Sequence, residues 1–167
     1  MNRNYEADLK ELVDGFRLSC QTEGKSPKTI EWYVAFLRRF TGFLEKCGLS
    51  TSLRVINKPQ IRKFIRHLQV EAKTPFKGQS LSPATVQGYV RSLKAFFSWI
   101  EREGYTDHNL MNGIPVPRAP VKVLNTFTNE QVVRLFDLCH EDEMNGHRNM
   151  SIILLMLDSG IRVSECA

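Results

Sequence analysis

The strongest constraint on what this chain can fold into is an internal repeat. Segment 26–48, SPKTIEWYVAFLRRFTGFLEKCG, lies over segment 82–104, SPATVQGYVRSLKAFFSWIEREG, at an offset of 56 residues. Ser, Pro, Thr, Tyr, Val, Leu, Phe, Glu and Gly coincide, and Ile30/Val86, Arg38/Lys94, Leu44/Ile100 and Lys46/Arg102 are close substitutions. Each copy opens with a serine suited to cap a helix and a proline suited to its first position. Apolar residues then recur at helical spacing: Ile30, Tyr33, Val34, Leu37, Phe40 and Leu44 in the first copy, and Val86, Tyr89, Val90, Leu93, Phe96, Phe97 and Ile100 in the second. Each copy closes on glycine. Two such units are too few for a solenoid. They predict an all-α chain whose long helices share a compact bundle.

The flanking segments supply further helices. Residues 5–23 carry Leu9, Leu12, Val13, Phe16 and Leu18 at near-helical spacing, and Gly24 stops them. From Lys58 to Glu71, Ile61, Phe64, Ile65 and Leu68 form an apolar face, while Lys58, Arg62 and Arg66 recur by four on another. No acidic residue lies between Glu45 and Glu71. A one-sign row usually marks a solvated face; contact with nucleic acid is the alternative. Residues 72–81 form a basic loop. Segment 109–125, NLMNGIPVPRAPVKVLN, holds three of the seven prolines and is expected to be extended. Thr128 and Gln131 then have the spacing of a capping box, ahead of Val132, Val133, Leu135, Phe136 and Leu138. A polar loop, 140–146, precedes Asn149–Leu157, which reads as a buried helix through Ile152, Ile153, Leu154, Leu155 and Leu157. It breaks at Asp158-Ser159-Gly160, and Arg162 and Glu165 follow on one face of a restarted helix.

Charge is unevenly divided. The net is +5, but residues 1–120 hold 19 Lys/Arg against 11 Asp/Glu, and residues 121–167 hold 4 against 7. The first part is thereby directed toward a polyanion. Cys20, Cys47, Cys139 and Cys166 are scattered, no Cys/His ligand spacing occurs, and neither a metal site nor a cofactor is expected. The apolar run at 152–157 is too short to span a bilayer, and the N-terminus lacks the apolar stretch of a signal peptide. A cytoplasmic protein is the default expectation.

Several residues are candidates for anion binding. A helix N-terminus presents free N–H groups, so Ser26, Lys28 and Thr29, and likewise Ser82 and Thr85, can hold phosphates; the plain alternative is that they only cap. Gln87, Arg91, Lys94 and Ser98 form a polar stripe on the second repeat, and Arg38 stands where Lys94 does in the first. Arg118 and Lys122 make the proline-rich segment basic. Arg162, mounted at a tight corner, suits bidentate contact with phosphate; the plain alternative is a structural Arg–Glu pair.

SGIRVSE resembles the T-G-L-R-x-S-E segment of the tyrosine recombinases, the phage-integrase family. Gly160, Arg162, Ser164 and Glu165 are in register, and Ser159 and Ile161 are mild variants. The order of the whole chain is similar to that family too: repeated S-P-x-T helices, a proline-rich basic segment, then an L-T-x-x-E-h opening matched by Phe127-Thr128-Asn129-Glu130-Gln131-Val132. The resemblance implies a SAM-like core-binding domain over 1–112, a linker over 113–126 and the helical start of a catalytic domain over 127–167. It implies a double-stranded DNA partner and no cofactor or membrane. DNA contacts would come from Ser26, Lys28, Thr29, Arg38, Ser82, Thr85, Gln87, Arg91, Lys94, Arg118 and Lys122. It makes Arg162 the first catalytic arginine, holding the scissile phosphate while a tyrosine attacks it to form a covalent 3'-phosphotyrosine intermediate, in a parent acting as a homotetramer on paired sites. The departures are the hairpin lysine, the H-x-x-R pair, the further His or Trp and the C-terminal tyrosine, none of which can be assigned. Tyr5, Tyr33, Tyr89 and Tyr105 all precede Arg162. A DNA-binding, cleavage-incompetent fragment is therefore expected. A helical DNA-binding regulator or a protein-interaction module are the other readings.

Overall fold

The computed structural model describes residues 7–74, 78–120, 125–141 and 144–166. Among them the chain is helical, with α1 (Leu9–Thr22), α2 (Pro27–Lys46), a 3-10 turn (Leu53–Val55), α3 (Lys58–Val70), α4 (Pro83–Arg102), α5 (Asn129–Glu141), α6 (Gly146–Ser159) and α7 (Val163–Cys166). It divides into two compact units, Met1–Val121 and Lys122–Ala167.

The repeat forms α2 and α4, both 20 residues long and both begun in the same way. Ser26 Oγ accepts from the Thr29 N–H at 3.2 Å, and Ser82 Oγ accepts from the Thr85 N–H at 3.1 Å. Each such cap stabilises its helix by about 1 kcal/mol. Helix α1 begins at Leu9 because Asp8 Oδ1 caps it by accepting from the Lys10 N–H at 2.7 Å. The expected start at Tyr5 lies outside the described residues.

Four helices enclose an aromatic core in the first unit. Phe40, Phe64, Phe96 and Phe97 are fully buried. Phe64 of α3 meets Phe40 of α2 at 5.1 Å between ring centroids and Tyr89 of α4 at 6.2 Å. Phe16 of α1 meets Phe96 and Trp99 of α4, each at 5.6 Å. Helices α2 and α4 approach closely at Gly88, where an added Cβ would stand 3.2 Å from the Phe36 ring. Burial of rings this large accounts for most of the unit's cohesion. Leu18, counted with the apolar face of α1, is instead 62% exposed. Its position departs from the Leu9, Leu12, Val13, Phe16, Cys20 stripe and turns outward.

The second unit pairs α5 with α6. The capping box forms: the Gln131 N–H donates to Thr128 Oγ1 at 3.3 Å, and the Thr128 N–H donates to Gln131 Oε1 at 3.0 Å. The expectation of a buried α6 does not hold. Ile152, Leu154, Leu155 and Leu157 are 37%, 49%, 49% and 47% exposed, while Met150, Ile153 and Met156 are partly covered. The physical reason is the number of neighbours: α6 packs on α5 and the short α7, and two such elements shield only one side of a helix.

Candidate nucleic-acid interface

Each S-P-x-T helix start offers little to an anion beyond its own cap. Proline at the first position has no N–H. The Thr29 N–H is held by Ser26 Oγ and the Ile30 N–H by the Ser26 carbonyl at 3.1 Å. The same bonds recur at Thr85 and at Val86, whose N–H donates to the Ser82 carbonyl at 3.0 Å. Ser26 and Thr29 share a hydroxyl–hydroxyl bond of 2.8 Å, as do Ser82 and Thr85. The backbone N–H groups of Ser26 and Lys28, or of Ser82 and Ala84, and one hydroxyl proton are left at each end among the described residues. That is a small seat for a phosphate oxygen rather than a full nest.

The candidate cations fall into two classes. Lys28 is ion-paired to Glu31 at 3.0 Å, and Arg38 lies 3.8 Å from Asp14. Both are partly neutralised where they stand. Arg91 is exposed and Lys94 half-buried, and neither has an ion-pair partner among the described residues. Gln87 is engaged structurally: its Nε2 donates to the Pro117 carbonyl at 3.1 Å. This bond lays the proline-rich segment on α4, where Ile114 is buried and Val116 packs on the core. Arg118, next along, is exposed. Lys122 lies outside the described residues. Ser98 accepts from Asn109 Nδ2 at 2.9 Å, so the lower end of the α4 stripe also serves the fold.

Sequence reasoning passed over Arg39. Its guanidinium donates to the Tyr89 hydroxyl at 3.2 Å and to the Lys73 carbonyl at 3.4 Å, and it lies 5.6 Å from the Tyr89 ring centre. It ties α2, α4 and the backbone at Lys73 together. The signal was the repeat itself, since Tyr89 offers a hydroxyl at a core position and a buried phenol needs a partner.

In the second unit, Gly160 ends α6 with φ of 67° in the left-handed region, which glycine adopts without a Cβ penalty. Arg162 then heads α7. Glu165 bonds twice to it: Oε2 accepts from the Arg162 N–H at 2.7 Å, and Oε1 accepts from Nη1 at 3.4 Å. The carboxylate fixes the corner, while the guanidinium, whose side chain is 82% exposed, keeps most of its donors free.

The family profile described as "Phage integrase, N-terminal SAM-like domain" matches residues 12–107. The chain belongs to this family. It is similar to Tyrosine recombinase XerC of Oceanobacillus iheyensis, 30% identical over 159 residues, which is 95% of this chain and 49% of that protein. It is 25% identical over 158 residues to Tyrosine recombinase XerC of Pseudomonas syringae pv. tomato, covering 94% of this chain and 50% of the relative. Among solved structures, the integrase from mycobacterium phage Brujita matches 99% of this chain and 49% of its own at 25% identity, with a TM-score of 0.54. The chain thus spans about half the length of the curated relatives it matches. The SAM-like helical fold implied by the SGIRVSE resemblance is the fold observed. Among the described residues no helix is long and apolar enough to cross a membrane.

Proposed function

We propose that this chain is a duplex-DNA-binding portion of a site-specific tyrosine recombinase, with residues 1–112 as the core-binding domain, 113–126 as a linker and 127–167 as the start of the catalytic domain. The observation that carries the reading is the family match over 12–107, which covers α2, α3 and α4. The distribution of charge supports it. Arg91 and Lys94 on α4 and Arg118 beside it are cations with no ion-pair partner among the described residues, suited to phosphate oxygens. The Ser26/Thr29 and Ser82/Thr85 seats, with Lys28 and Arg38, contribute secondary contacts, and Lys122 continues the linker's charge.

Arg162 is the group that would hold the scissile phosphate in the full-length enzyme and stabilise charge at phosphorus as a tyrosine takes over the bond. Support for this role comes from its free donors and from Glu165, which orients it through the backbone as well as the side chain. The full-length protein would work in the cytoplasm as a homotetramer on paired sites. Fluorescence anisotropy on a labelled duplex tests the reading. Binding is expected at low salt and should fall steeply as salt rises, because each neutralised phosphate releases counterions. Arg91→Ala with Lys94→Ala should weaken it at unchanged helicity. An absence of binding at low salt would remove the DNA assignment and leave a protein-interaction module.

A further inference from the structure

We infer that α3 carries a separate row of phosphate contacts, Arg62, Lys63 and Arg66 with Lys58 at its head, that grips the DNA backbone without reading sequence. The inference rests on the DNA-binding reading above and adds a surface to it. Residues 46–100 contain ten Lys/Arg and one acidic residue, Glu71. That glutamate is taken up by His67, whose Nδ1 lies 2.8 Å from it. Five cations elsewhere in the first unit are matched to acids: Lys10 to Glu45, Lys25 and Arg102 to Glu23, Lys28 to Glu31, Arg38 to Asp14. Among the described residues, Arg62, Lys63 and Arg66 have no such partner, and all three are exposed.

Their spacing puts them on one side. Ile61, Phe64, Ile65 and Leu68 face the core, and residues 62, 63 and 66 fall together on the opposite side of the wheel. Arg62 and Arg66 are like charges at i, i+4, as are Lys58 and Arg62, which disfavours the helix. Lys58 occupies the first position, where the helix dipole is already positive. The cap of α3 is built from amides rather than acids. Asn57 Oδ1 accepts from the Gln60 N–H at 3.1 Å, and Gln60 Oε1 accepts from the Asn57 N–H at 3.0 Å. Aspartate and glutamate make the same bonds and suit the dipole better. Neither the N-terminal cap nor the exposed side of this helix carries an acid to offset Arg62, Lys63 and Arg66. A polyanion at fixed charge spacing is the partner that restores the balance, and the DNA backbone supplies one.

The test is a salt titration of the intact chain on a labelled random-sequence duplex, with R62Q/K63Q/R66Q beside K10Q/K25Q/R102Q, which removes three cations already matched to acids. The α3 variant should lower the slope of log K against log salt by about 2 to 3, at unchanged circular dichroism. The matched-cation variant should leave the slope near wild type, and R62K/R66K should keep it. Equal losses in both triple variants, or a wild-type slope in the α3 variant, overturn the row while leaving DNA binding in place. Failure of the wild type to bind at low salt overturns the DNA reading and the row with it.

Discussion

Phe64 and Leu155 are both large apolar residues in the middle of an amphipathic helix, yet one is fully buried and the other 49% exposed. The difference lies in their neighbours, not in their own helices. In the first unit α3 packs against α2 and α4, both 20 residues long, and Phe64 is enclosed by Phe40, Phe43 and Tyr89. In the second unit α6 has α5 and one turn of α7. Periodicity in a sequence announces a face that wants covering. Whether it is covered depends on how many other elements share the unit, and that number is not written in the helix itself.

Substitution should expose the contrast most strongly. Phe64→Ala removes a ring packed against Phe40, Phe43 and Tyr89, and should destabilise the first unit by about 3–5 kcal/mol. Leu155→Ala should cost less than about 1 kcal/mol, because half the side chain already meets water. Paired chemical denaturation curves would decide it; equal losses would mean that α6 is covered in solution. Next in size, Ser82→Ala deletes the cap of α4 and should cost about 1 kcal/mol, with Ser82→Thr recovering most of it. A cost near zero in thermal melts would show that the tertiary packing of α4 alone fixes its start.

Thiol labelling sharpens the comparison further. Cys20 and Cys139 are both buried, Cys20 in the four-helix core and Cys139 between α5 and α6. Burial pushes the Cys20 thiol up from its ordinary value, which lowers its reactivity further. Iodoacetamide should modify exposed Cys47 and half-buried Cys166 first, Cys139 next through opening of the smaller unit, and Cys20 last. Labelling of Cys20 ahead of Cys139, followed by mass spectrometry, would reverse the assigned order of stability. The smallest effect concerns pH. Glu23 is held below the usual carboxylate range by hydrogen bonds from Lys25 Nζ and then Ser19 Oγ. A lowered folded pKa gives stability that is present above the ordinary value, about 4.3, and fades as pH falls through the depressed one. Glu23→Gln should accordingly flatten the acid side of the melting profile, and an unchanged acid limb would remove Glu23 as a contributor.

Much of the first unit was legible because its signals agree. Cap, proline, apolar stripe and terminal glycine all point to the same helix twice over, and α2 and α4 follow them. The corner at Gly160 was legible for a similar reason, since only a left-handed turn places Arg162 at a helix start with Glu165 in reach. The pairing of charges was not legible. Lys28 and Arg38 look as available as Arg91 in the sequence, but α1 brings Asp14 beside Arg38, and such meetings depend on tertiary packing. Gln87 is the clearest instance: a polar residue on an exposed stripe is engaged by the Pro117 carbonyl 30 residues away.

The serine–proline start of α2 and α4 has a consequence for aim. A helix whose first turn is held by a hydroxyl cap and a proline ring is biased by about 1 kcal/mol against fraying at that end or beginning one residue late. Rotational phase is therefore set at Ser26 and Ser82, and every side chain downstream inherits it. Arg38 and Lys94, each 12 positions along, point where those serines dictate. Two small hydroxyls thus help to set the direction of side chains three turns away.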